Sequence, residues 1–436
     1  MIMIYHFIGI KGTGMSALAH IYHDLGYQVQ GSDVTEHLFT QDDLEKKKIK
    51  LLPFNRDNIH HDMQVIVGNA FDNNHVEVKR CHELKVKTQR YYEALNTVIN
   101  NYKTIAVSGC HGKTTTTSLL AHLLNNIVGC NYLIGDGTGY MQRDNRYFVF
   151  EACEYKRIFL NYYPTYTIIT NIELEHVDYY KDLNDVLSSF QTFVNQTKEI
   201  VLACGDDPSI RSLKYNQVKF YGFNDNNDII ARRVKLTSKG SNFDVYINNN
   251  LYGHFTLPLY GKHMILNALA VIGICHHEGL NSSEVSKQLK CFPGAKRRFK
   301  EKKIKDIVTI DDYAHHPTEI KVMIDAVRQK YPKREIVAVF KPNTYTRTKA
   351  LATDFINALN LADKAYVTDI FCDREKKEDY PHITSSLIID RLKNGDYISD
   401  DSVNKLLKHK KAVILFMSCK NIYTLREKYE ALLKKD

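Results

Sequence analysis

The 436-residue sequence has no tryptophan, only nine prolines, and nine cysteines that form no Cys-x-x-Cys pair and no short Cys/His cluster. That spacing excludes a disulfide framework and the usual structural zinc sites, and it points to a reducing compartment. No apolar run approaches the roughly 20 residues needed to cross a bilayer. The first residues also lack the charged and then apolar regions of a secretory signal. A cytoplasmic protein without membrane insertion is expected. No internal repeat or low-complexity tract is present. A dense basic stripe is missing as well: the net charge is +9, but the basic residues are dispersed. Dispersed charge disfavours nucleic-acid binding and fits anionic small molecules.

What is present is an ordinary globular composition, 44% hydrophobic and 25% charged, over a length that suggests two to four domains. Apolar β-rich runs alternate with helical patterns, the signature of α/β units with parallel strands. IYHFIGI reads as a buried strand. Met15, Leu18, Ala19, Tyr22 and Leu25 then recur at helical spacing up to Gly26, and YQVQGSD is the next strand. TIAVSG, YFVFEA and YTIITNI read as strands of a second unit, and the region from about 217 to 258 reads as antiparallel hairpins turning at Asn248–Asn250. FPGAKRRFKEK, with Pro, Gly and a burst of basic charge, reads as a linker into a third unit. The expected domains are 1–99, 100–292 and 293–436.

Two stretches look built to hold phosphate. In FIGIKGTGMS the glycines are Gly9, Gly12 and Gly14, with Lys11 where a dinucleotide fingerprint has its second close-approach glycine. Asp33 stands where a ribose-binding acid is expected. One reading is a strand–turn–helix with glycines for packing only. The other is a nucleotide diphosphate at a helix N-terminus, where N–H groups and the dipole favour anions. The altered spacing argues against NAD.

The second stretch, Gly109-Cys110-His111-Gly112-Lys113-Thr114, is a shortened P-loop, with Val107 where the long form has its first glycine. Lysine for the β/γ phosphates and a hydroxyl for Mg²⁺ are both retained, and a helix is expected from Thr115. Phosphoryl chemistry also needs carboxylates for metal. Candidates are Glu151 and Glu154 in FEACEY, and Glu173, Glu175, His176 and Asp178 in TNIELEHVD.

HFIGIKGTGMS, SGCHGKTTTT, FEACEY, TNIELEHVD, GKHMILNALAV, KRRF, DDYAHHPTE and TYTRT stand in the order seen in the Mur ligases. The chain resembles that family along essentially its whole length, most nearly the alanine-adding members of low-GC Gram-positive bacteria. The resemblance implies a Rossmann-like N-terminal domain, a P-loop-type central ATPase domain and a Rossmann-like C-terminal domain that closes over ATP and the amino acid. It implies ATP-dependent joining of L-alanine to UDP-N-acetylmuramate through an acyl phosphate, by a monomer or weak homodimer. By motif, Gly9, Lys11, Gly12, Thr13, Gly14, Met15, Ser16 and Asp33 would bind the UDP-sugar. The ATP site would comprise Gly109 to Thr115, His263, Asn267, Arg298 and Asp312. Mg²⁺ would be held by Thr114, Glu151 and His176. His315, His316 and Arg347 would act with Lys113, Glu151 and His176 in catalysis.

Three positions depart from the family pattern: Asn343 replaces a histidine, Ser418–Asn421 replaces a glycine-rich turn, and Met264 stands where asparagine is commoner. The nucleotide side is complete, whereas the amino-acid side has drifted. A paralogue with another amino acid or peptide substrate, and a catalytically impaired UDP-sugar-binding protein, are the alternatives.

Overall fold

The computed structural model describes residues 3–372, 375–419 and 422–435. Its strands form three sheets, each followed through sequence without interleaving. The first has the order Lys50–Pro53, Gln28–Asp33, Ile4–Ile8, Met63–Val67, Thr88–Arg90, all parallel. Strand order reverses about Ile4–Ile8, so the crevice beyond its carboxyl end is the switch point where α/β sheets bind ligands. The turn Gly9–Gly12 leaves the strand at that point.

The central sheet runs Asn250–Leu257, Gly240–Ile247, Ile229–Thr237, Val218–Gly222, Ile200–Cys204, Tyr166–Ile169, Lys103–Ser108, Tyr147–Glu151, Cys130–Leu133, Gly139–Tyr140. Lys103–Ser108 lies between Tyr166–Ile169 and Tyr147–Glu151, in parallel register Ile169↔Ser108 and Val107↔Glu151. This pairing sets the loop after Ser108 beside Glu151 and beside the segment that follows Ile169. The third sheet runs Lys300–Ile304, Ile307–Asp312, Ala412–Met417, Glu335–Phe340, Lys364–Val367, Gly395–Tyr397. In it Asp312 and Phe340 both pair with Met417. Strands such as AVILFM (412–417) are buried along their whole length, as expected where helices cover both faces of a parallel sheet.

Three details differ from the sequence reading. Residues 300–304 are not linker but an antiparallel edge strand on Ile307–Asp312. Their KEKKI composition hid them, because charged side chains are what an edge strand presents to water. Val218–Gly222, read with the hairpins, pairs in parallel with Ile200–Cys204, and antiparallel pairing begins only between Ile229–Thr237 and Gly240–Ile247. The central loop's helix starts at Lys113, two residues before Thr115.

The first and central units share one apolar core that includes Leu18 and Ile66 from one and Leu120 and Phe150 from the other. The third unit has a separate core on each face of its sheet. Helix Thr13–Asp24 lies against the edge strand Gly139–Tyr140, where a Cβ on Gly139 would strike the Ala17 carbonyl. Gln329 ties the third unit to the second: its Nε2 donates to the carbonyls of Thr237 (3.0 Å) and Gly240 (3.2 Å), and its Oε1 accepts from Gly261 N (2.7 Å). Gly139→Ala should therefore cost about 1–3 kcal/mol as backbone is forced apart, read as a lower urea midpoint. An unchanged midpoint would mean that the first two units are not pressed together here.

Candidate active site

Both phosphate-type turns open on one cavity of about 880 Å³, lined by Gly9, Gly12, Thr13, Gly14, Met15 and Asp33 on one side and by Cys110 to Thr114 on the other. Each turn ends in a helix whose N-cap is glycine, with no side-chain cap and no acid in the first turn. The leading N–H groups of an uncapped helix are unpaired donors with a partial positive charge. Two such ends on one cavity make a site for two anionic groups.

The central loop is held from its neighbour strand. Thr170 Oγ1 donates to the His111 carbonyl at 2.6 Å, and Asn171 Nδ2 donates to the same oxygen at 2.9 Å. His111 N donates to Asn171 Oδ1 at 2.8 Å, and Cys110 N donates to the Asn171 carbonyl at 3.1 Å. Gly109, at φ +131°, passes so close that a Cβ would meet Thr170 Oγ1. Lys113 Nζ donates to the Gly109 and Cys110 carbonyls (2.5 and 3.0 Å) and pairs with Glu154 at 2.9 Å. Burial works against the Lys113 charge, but Glu154 outweighs it, and the ammonium is held above its usual range. Thr114 Oγ1 donates to Glu151 Oε2 at 2.9 Å, which also accepts from Gly135 N at 3.1 Å. Burial raises the Glu151 carboxyl, with Lys113 opposing.

His176 lies with Glu154 and Glu175, the ligand atoms of the three being within 4.8 Å of one another. Its Nδ1 is buried without a hydrogen-bond partner. These oxygen and imidazole donors suit a divalent cation. Glu151, expected from the sequence to share a metal with His176, is not in this group; it faces Thr114 instead.

The third unit reaches the same cavity. Arg298, Tyr313, His315 and Glu319 line it. Glu319 is the residue that organises this side: Oε2 accepts from the backbone N of His315 (3.0 Å) and His316 (3.3 Å), and its carboxylate faces Arg298 (3.6 Å), His111 (3.6 Å) and His315 (3.0 Å). Burial opposes its charge, yet His315 and His111 hold the carboxyl well below its usual range. The reverse holds for His111, where burial is outweighed by Glu173 and Glu319 and the imidazole is raised to about 10. Glu175 takes His315 at 3.6 Å and Arg347 at 3.5 Å. Thr318 Oγ1 donates to Glu173 at 2.8 Å. Asp312 accepts from the backbone N of Phe299 (2.9 Å) and Ala314 (2.8 Å), and burial raises its carboxyl.

Several expected residues stand elsewhere. Lys11 does not reach the cavity: Nζ donates to the Val34 (2.8 Å) and Glu36 (2.9 Å) carbonyls, fixing the loop after Asp33. A buried ammonium takes such partners because desolvation without them is costly. Ser16 is buried beneath the turn, its Oγ towards the Gly137 carbonyl (3.5 Å). Asp33 lines the cavity, but its oxygens already accept from the backbone N of Lys11 (2.7 Å) and Val34 (2.8 Å). Thr115, His263, Asn267, Asp312, His316 and Arg347 are outside the lining. Asn267 backs Gly112, a Cβ there lying 3.0 Å from Asn267 Oδ1. Met264 Sδ stands 3.9 Å from Asn267 Nδ2. Asn343 is 8% exposed and donates to the Phe371 carbonyl at 3.2 Å. Lys420 and Asn421, in the atypical turn, lie outside the described residues. Glu319, Thr170 and Asn171 were unassigned from sequence, although His316-Pro317-Thr318-Glu319 is a capping-box pattern that marks Glu319.

Three family models match the chain: the Mur ligase family catalytic domain over 4–103, the Mur ligase middle domain over 107–275, and the Mur ligase glutamate ligase domain over 297–418. The structure of UDP-N-acetylmuramate-alanine ligase MurC from Thermotoga maritima is similar at 25% identity and TM-score 0.83, covering 99% of each chain. A murein peptide ligase from Psychrobacter arcticus is similar at 23% identity and TM-score 0.74, covering 100% of this chain and 99% of the other. MurF ligase from Thermotoga maritima in complex with ADP is similar at 16% identity and TM-score 0.65, covering 93% and 95%.

His263 is held neutral by burial and by Arg298, its imidazole lowered to about 4. Unfolding frees it to take a proton, so its environment costs nothing above pH ~6.5, destabilises the fold progressively as pH falls from ~6.5 towards about 4, and adds no further loss below that. His263→Gln should match wild type in thermal unfolding above that pH and exceed it at pH 4. Parallel acid profiles would contradict a neutral His263.

Proposed function

The chain belongs to the Mur ligase family, ATP-dependent ligases of peptidoglycan synthesis, and within it we propose that the protein joins L-alanine to the carboxylate of UDP-N-acetylmuramate. The observation that carries the proposal is the single cavity shared by two uncapped helix ends. The first turn would take the UDP diphosphate, and the Lys113 helix the phosphates of ATP. On this proposal the protein works in the cytoplasm as a monomer or weak homodimer.

A carboxylate is a poor electrophile. Transfer of the γ-phosphoryl to a muramate carboxylate oxygen, with ADP leaving, gives an acyl phosphate. Attack by the alanine amine gives a tetrahedral centre that collapses to the amide as phosphate departs. Lys113, now resting on Glu154 and two carbonyls, would exchange those partners for β/γ oxygens. Arg298 and His315 bring cationic charge from the third unit. Preformed charge of this kind favours a transition state spread over phosphoryl oxygens. Mg²⁺ would be held by Thr114 and Glu151 and by the Glu154, Glu175 and His176 group; when bound, it neutralises charge on the transferred group.

Alanine as acceptor is supported by the MurC likeness along both chains, and a murein peptide ligase is also similar. Phosphate release should therefore be measured with Mg²⁺-ATP and UDP-N-acetylmuramate across L-alanine, glycine, L-serine and a muropeptide tripeptide. Release that depends on L-alanine is expected; release only with the tripeptide would reassign the acceptor. Lys113→Ala should lower turnover by about 10²–10³ while UDP-sugar binding, followed by calorimetry, persists. Turnover that survives this change would rule out the second turn as the ATP site.

A further inference from the structure

One cluster between the central and third units takes no part in the steps above, although the resemblance places His111 in the ATP site and His316 in catalysis. His111 of the central loop, Glu173 after strand Tyr166–Ile169, and His316 at the head of helix Pro317–Lys330 bring ligand atoms within 4.8 Å of one another. His111 Nε2 stands 3.5 Å from Glu173 Oε2, and His316 Nδ1 stands 3.7 Å from the same oxygen. Both separations exceed the 2.7–3.2 Å of an N–H···O hydrogen bond. They approach the spacing, about 3.3 Å, of donor atoms sharing one tetrahedral zinc at 2.0–2.1 Å. Both ring nitrogens of His111 and Nε2 of His316 are buried without hydrogen-bond partners, and the two residues are only 9% and 5% exposed. His111 meets Glu173 (3.5 Å) and Glu319 (3.6 Å) at ion-pair rather than hydrogen-bond distance, and a bound cation would take the place of its second proton. His316 Nδ1, the nitrogen nearer Glu173, accepts from the Thr318 N–H at 3.4 Å, a long capping bond that ligation through Nδ1 would replace.

We infer that His111, Glu173 and His316 form a transition-metal site of the Zn²⁺ class, which pins the third unit to the central one. Two imidazoles and one carboxylate favour zinc over magnesium, which prefers an all-oxygen shell. The supporting groups a metal site needs are also present. Thr318 Oγ1 donates to the ligating Glu173 oxygen at 2.8 Å. Glu319 stands 3.6 Å behind Nδ1 of His111. The rings of His111 and His316 face each other at 4.6 Å between centroids. Because His111 belongs to the P-loop and His316 to the third unit, an ion here would hold the two together independently of nucleotide.

The test is a Co²⁺ titration of the metal-stripped full chain, with Mg²⁺ in excess to fill the Glu154, Glu175 and His176 group. One equivalent should give the intense visible bands of four-coordinate Co²⁺, and Zn²⁺ should displace it. His316→Gln and Glu173→Gln should each weaken binding at least ~10-fold, and Glu319→Gln about 10-fold, as for groups that support a ligand. Glu154→Gln should leave the bands intact. X-ray absorption of the zinc-loaded wild type gives a check without variants, with two imidazoles expected in its shell. The site is overturned by absence of the bands, by bands that survive His316→Gln, by equal loss in Glu154→Gln, or by an all-oxygen zinc shell.

Discussion

Two helices point their uncapped N-termini into one cavity, and the rest of the molecule is arranged to keep them there. Open helix ends attract anions but attract each other's ligands poorly, since two phosphate groups side by side repel. The protein offsets this with cationic groups from three directions: Lys113 in the loop, Arg298 just before the edge strand Lys300–Ile304 and His315 after strand Ile307–Asp312 all border the cavity. Each of these is balanced by a carboxylate, Glu154, Glu319 or Glu175. The charges are therefore held in place before any ligand arrives, which is the condition under which electrostatic stabilisation costs no reorganisation.

The sheets explain how those groups come together. Parallel pairing sets Glu151 level with Val107, and Ser108 level with Ile169, so acids following neighbouring strands converge on the loop. The first unit shares its core with the second, which fixes one turn relative to the other. The third unit has its own core and meets the others through polar contacts: Gln329 on Thr237, Gly240 and Gly261, Thr318 on Glu173, and Lys296 on Asp43 at 2.7 Å. Polar interfaces of this kind separate more readily than apolar ones.

The two turns and the three α/β units were legible in the sequence, because glycine spacing and apolar runs report local geometry. Side-chain direction was not. By resemblance Lys11 would bind the UDP-sugar, but the fold shows its ammonium committed to the carbonyls of Val34 and Glu36. Glu151 and His176 carry the right chemistry, yet strand register gives Glu151 to Thr114 and gives Glu154 and Glu175 to His176. The edge strand Lys300–Ile304 was masked by its charge. Asn343, a departure from the family pattern, holds the Phe371 carbonyl and lies outside the cavity lining.

The central claim is that one cavity passes a phosphoryl group from a nucleotide to a sugar carboxylate. It is tested most directly by labelling that carboxylate with ¹⁸O and analysing the phosphate released during turnover with L-alanine. Phosphoryl transfer followed by amine attack predicts one ¹⁸O atom in each phosphate. Phosphate free of label would show that ATP is hydrolysed without activating the carboxylate, and would contradict the account.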